Sequence, residues 1–144
     1  MKKSVIAGLG VAGFVVGVAV LQAVNGSGAK PQTTCPISGE AIDTATSPHL
    51  DWQGQRIFFA STAAAETFRQ DPEKAFAVFQ NEGIELENVE TTCPVSGDKL
   101  LGGGPTVRYK GRTIRFCCKD CPAKFDLHPE TYLAKLPGEQ MASR

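Results

Sequence analysis

The chain has 144 residues, 42% of them hydrophobic, and balances 15 basic against 15 acidic side chains. That length fits one ordinary domain or two very small ones. Lys2 and Lys3 are the only charges before Lys30, so the remainder is acidic by two and carries no electrostatic footprint for nucleic acid.

Lys2 and Lys3 precede an uncharged, mostly apolar run from Val5 to Val24, the pattern of an export signal. At about 20 residues the run is also long enough to span a bilayer as a helix. Residues 1–24 are therefore expected to be a membrane anchor or a cleaved signal, with Ser27-Gly28-Ala29 offering small residues to a peptidase. The two lysines should stay cytoplasmic. The rest of the chain would then be anchored to an inner membrane facing the periplasm, or exported after cleavage. Residues 25–32 read as a flexible linker by composition.

An internal repeat follows. Thr33-Thr34-Cys35-Pro36-Ile37-Ser38-Gly39 recurs as Thr91-Thr92-Cys93-Pro94-Val95-Ser96-Gly97. Leu50, Trp52, Gly54, Ile57 and Phe59 line up with Val107, Tyr109, Gly111, Ile114 and Phe116. Phe68 matches Phe125, and Pro72-Glu73 matches Pro129-Glu130. Each copy is a small α+β unit. Leu50 and Trp52, like Val107 and Tyr109, alternate with polar neighbours at the period of a half-buried strand. Gly54 and Gly111 turn the chain back into a second strand. A short helix is expected over Thr62 to Arg69, and over Lys119 to Asp126 in the second copy. Asp71-Pro72-Glu73 and His128-Pro129-Glu130 open further helices to about Gln80 and about Leu136, with proline in the first turn. The modules thus span 33–80 and 91–136, with an acidic linker over 81–90 and a tail over 137–144.

The copies differ in their thiols. Where the second has Cys117, Cys118 and Cys121, the first has Ala60, Ser61 and Ala64, so the first module is degenerate and should pack as a core without metal. Five cysteines cannot all pair within one chain. Crowded thiols either hold a soft metal or exchange disulfides. Cys93, Cys117 and Cys121 form the expected ligand set, with Cys118 or His128 as a fourth ligand, and a metal cross-link would stabilise so small a module. Such a site suits zinc, copper or mercury. Two alternatives stand beside it: Cys118-Lys119-Asp120-Cys121 as a redox CxxC, and disulfide staples in an exported domain. His49 reads as a solvated loop residue. Gly102-Gly103-Gly104 is a loop and not a phosphate cradle, because neither a helix nor a Lys-Ser/Thr pair follows it. No Ser-His-Asp set, paired-carboxylate motif or nucleotide fingerprint is present, so the chain reads as a binding protein and not an enzyme.

Cys93 followed by Cys117-x3-Cys121 beyond a hairpin, with Tyr109-x-Gly111 and Phe116-Cys117, resembles the TRASH/YHS group of small metal-binding domains. The resemblance covers Thr91 to about Leu136, and the first copy shares its scaffold without its ligands. It implies heavy-metal sensing, trafficking or resistance, with Cys93, Cys117 and Cys121 as ligands; Cys118 is additional to the family pattern. The expected whole is α+β: two tandem modules, each a knuckle, a β-hairpin and short helices in a treble-clef-like arrangement, after an N-terminal hydrophobic helix. Its partners would be a zinc or copper ion, the membrane, and a protein that hands on or receives the metal.

Overall fold

The computed structural model describes residues 28–139. The anchor or signal expected over residues 1–24 lies outside the described residues, as does the start of the linker. Among the described residues no helix is long and apolar enough to cross a membrane. Over the described residues the fold is mixed α+β, with small antiparallel sheets and four helices.

In the first half, β1 (His49–Trp52) and β2 (Gln55–Phe58) form a hairpin with Trp52 opposite Gln55. Its two-residue loop has positive φ at both Gln53 and Gly54, the primed turn whose twist matches paired strands. The chain then enters α1 (Thr62–Gln70) and α2 (Pro72–Glu82). Ser61 caps α1, its hydroxyl accepting the Ala64 N–H at 3.2 Å. Pro72 occupies the first turn of α2, where its missing N–H costs nothing, and left-handed Gly83 ends that helix. Phe59, Phe68, Phe76 and Phe79 are fully buried between the hairpin and these helices. Each such ring is worth about 1.5–3 kcal/mol in removed apolar surface.

The second half repeats this order with β4 (Thr106–Tyr109), β5 (Arg112–Arg115), α3 (Cys121–Leu127) and α4 (Pro129–Leu133). Its own core gathers Cys93, Ile114, Phe116, Cys121, Phe125, Leu133 and Leu136. Here two helix boundaries depart from the sequence expectation. α3 begins at Cys121 and not at Lys119. In α1 the Ala65 N–H donates to the Ser61 carbonyl, and the corresponding donor in α3 would be Pro122, which has none. The turn is closed instead by the Cys121 N–H on the Cys118 carbonyl at 3.3 Å, leaving Cys118 ahead of the helix. α4 ends at Leu133, and turns carry the chain on to Leu136.

Three segments read as linker or tail are held in the fold. Gln32, in the linker, is buried, and its amide donates to the Phe58 carbonyl (2.7 Å) and accepts the Phe58 N–H (3.0 Å), as a neighbouring strand would. The 81–90 linker contributes the last residues of α2 and then β3 (Glu87–Asn88), which pairs antiparallel with β2. Ile84 and Leu86, buried at its start, supply the apolar anchor that its acidic composition hides. The tail returns across the first hairpin: Gly54 N–H donates to the Pro137 carbonyl and Glu139 N–H to the Asp51 carbonyl, both at 2.8 Å. Arg69 then pairs with Glu139 at 2.6 Å.

The two halves meet along β2 and β5. Gln55, fully buried, donates to the Thr113 carbonyl at 3.0 Å and accepts the Thr113 N–H at 3.3 Å; Asn88 adds 2.7 Å to the same carbonyl. Arg112 is fully buried at this seam. Its guanidinium lies 3.6 Å from the centre of the Phe76 ring and donates to Gln53, Glu73 and the Lys110 carbonyl. Gly111, at φ 77°, passes so close to α2 that an added Cβ would stand 2.2 Å from the Phe76 carbonyl oxygen.

Glu90 is buried beside the first hairpin's turn, with one carboxylate oxygen accepting the Arg115 N–H at 2.8 Å and the other unpartnered. Burial outweighs its hydrogen bonds to Arg115 and Asn88 and pushes its pKa from 4.5 up to about 7. An acid held more tightly protonated in the fold favours folding fully below its unfolded pKa. That contribution is lost as pH rises from 4.5 through about 7. Urea titrations of the metal-free protein at about pH 5 and about pH 8 should therefore differ between wild type and Glu90→Gln by about 2 kcal/mol after solvent screening. An unchanged difference between the two proteins across that range would contradict the burial.

Candidate metal centre

Cys93 is presented by a tight knuckle. Its N–H donates to the Asp98 carbonyl at 2.7 Å, and left-handed Gly97 returns an N–H to the Cys93 carbonyl at 2.8 Å. Cys35 has the same turn, with Glu40 and Gly39 in those roles at 2.8 and 2.9 Å. Opposite Cys93 lie Cys117, just past β5, and Cys121, the first residue of α3. The sulfur atoms of Cys93, Cys117 and Cys121 all lie within 4.8 Å of one another. Cys117 and Cys121 are 3.8 Å apart. Tetrahedral zinc, with bonds of about 2.3 Å, places its sulfurs about 3.8 Å apart, so the cluster matches the donor set and spacing of a thiolate site. All five cysteines are free.

Cys118 is exposed and lies outside that trio, its sulfur 3.3 Å from that of Cys121. His128 is exposed at the start of α4 and is likewise no part of the trio; its side chain makes no capping hydrogen bond. Two residues not predicted as site residues reach the sulfurs. The Ser96 hydroxyl lies 3.2 Å from Cys117, and Cys117 donates to the Asp98 carboxylate at 3.8 Å. Both belong to the knuckle, where the retained serine of Pro-x-Ser-Gly was their visible signal. A cavity of about 130 Å³, lined in part by Lys99, Leu101, Gly104 and Arg115, opens onto half-buried Cys117.

The sulfurs divide the charge unequally. Burial would push the Cys93 thiol up, but the N–H groups of Cys117, Ser96 and Val95 and the Ser96 hydroxyl together bring it down to about 6. Desolvation, and then the sulfurs of Cys118, Cys93 and Cys117, push Cys121 far up. For Cys117 the Ser96 hydroxyl favours the thiolate, yet desolvation and the Cys93 sulfur leave it raised. Of the three sulfurs, Cys93 is thus the one whose surroundings favour the thiolate, while those of Cys117 and Cys121 favour the thiol.

Cys35 belongs to the other core. Burial acts to raise its thiol, and the Ser38 hydroxyl with the N–H groups of Ala60, Ser38 and Ile37 outweighs it and lowers it. Alanines stand where Cys117 and Cys121 would complete a cluster, so Cys35 has no sulfur partner there. Compared with family models, curated proteins and solved structures, the chain finds no match in any of the three.

Proposed function

We propose that the protein binds a soft transition metal ion, zinc or copper, through the thiolates of Cys93, Cys117 and Cys121, and captures or delivers it. The observation that carries this reading is the mutual approach of three sulfurs from a knuckle, a strand end and a helix start. Three thiolates leave the fourth position of a tetrahedral ion open, which suits exchange with a partner better than a closed structural site. The cavity beside Cys117 gives such a partner access. On this reading the second half is a TRASH/YHS-like, treble-clef-like module, and the first half is a metal-free packing partner with the same knuckle. The Lys2-Lys3 and apolar leader support anchoring to an inner membrane with the site facing the periplasm. The protein is a metal carrier and not an enzyme.

The test is elemental analysis of the reduced chain, with zinc titration by calorimetry in buffers of different ionisation enthalpy. One ion per chain is expected, with protons released as thiols give way to metal. Metal affinity should therefore rise with pH. No bound ion, or binding without proton release, would overturn the reading.

A further inference from the structure

The sulfurs of Cys118 and Cys121 stand closer together than those of Cys117 and Cys121, 3.3 Å against 3.8 Å, and they differ in access. Cys118 is exposed on the turn before α3, whereas Cys121 is buried within the metal trio. An incoming disulfide therefore meets Cys118 first, with Cys121 already in contact behind it. We propose that Cys118 and Cys121 form a dithiol that exchanges with a disulfide substrate, and that the resulting bond removes Cys121 from the metal site. In the first step the Cys118 thiolate attacks one sulfur of the substrate. A Cys118–sulfur bond forms, the substrate's S–S bond breaks, and one substrate thiolate leaves. Cys121, having given up its proton or its metal, then attacks the Cys118 sulfur and expels the second thiolate. The protein loses two electrons to one disulfide, which becomes two thiols, and the protons follow the departing thiolates. The metal is left with Cys93 and Cys117 alone. Release by oxidation is thus built into the same residue that binds.

Only the last step rests on the metal reading. The corresponding residue of the first half supplies the control: Ser61 stands where Cys118 does and caps α1. Cys118→Ser therefore places at this position the residue type that the first half carries at its counterpart, on an exposed turn that here lies ahead of the helix. The full chain, metal-free and zinc-loaded, is treated with oxidised glutathione, its disulfides mapped by peptide mass spectrometry and free zinc read with an indicator dye. The wild type should form a Cys118–Cys121 bond and give up zinc. Cys118→Ser should bind zinc as tightly and release it at least about tenfold more slowly. Equal release from both proteins, a bond that omits Cys118, or weaker zinc binding in Cys118→Ser would overturn the proposal. A chain that takes no zinc yet forms the same bond supports the exchange and sinks the metal reading alone.

Discussion

Cys121→Ser should weaken metal binding by about two to three and a half decades, while Cys35→Ser leaves it intact. Cys121 is buried, as Cys93 is, and touches two other sulfurs, those of Cys118 and Cys117, at 3.3 and 3.8 Å. Structural thiolate zinc sites bind with about 10–16 kcal/mol, so losing one of three ligands forfeits about 3–5 kcal/mol, or two to three and a half decades of affinity. Serine keeps the volume but ionises too weakly to replace the thiolate. Cys35 lies in the other core, among Trp52, Phe59 and Phe68, and contributes no atom to the trio. Competition against a chelating indicator reads both affinities. Equal losses from the two variants would mean that both halves share one site.

The largest expected effect on stability is at Arg112. Arg112→Ala removes a fully buried side chain from between the halves and empties the space over Phe76. It also strips partners from Gln53 and the Lys110 carbonyl. Glu73 is exposed enough to be rehydrated, so the cost comes from cavity and lost hydrogen bonds more than from a stranded charge. A loss of about 3 kcal/mol is expected in urea unfolding. Arg112→Lys should recover little of it, because an ammonium cannot reproduce the fork that spans Gln53, Glu73 and Lys110. Metal affinity should stay within about twofold, since the Arg112 side chain turns to the seam, where its partners are Gln53, Glu73, the Lys110 carbonyl and Phe76 and not the trio; a parallel collapse of affinity would tie seam and site together.

Local chemistry made the hairpins, the proline-started helices and the sulfur trio legible in the sequence. Alternating residues and Gly54 or Gly111 specify a turn within a few residues, and the three cysteines sit in elements whose order the repeat exposes. What was hidden depends on distant partners. Glu87 and Asn88 look like linker until β2 offers an edge, and Arg112 looks like a surface strand residue until Phe76 and Gln53 close over it. The late start of α3 was readable in principle. Pro122 announces the missing donor, but only beside α1 does its consequence for Cys118 become apparent.

The return of Pro137 to Glu139 onto the first hairpin bears on the order in which the chain is made. Asp51 and Glu139 are joined by a backbone hydrogen bond that spans most of the described length. A nascent chain emerges from its amino end, so β1 waits with an open edge until residues beyond α4 have appeared. Contacts of such sequence separation slow folding, because the intervening loop must close first. Until that contact closes, the first half's sheet keeps an edge open to pairing with another chain.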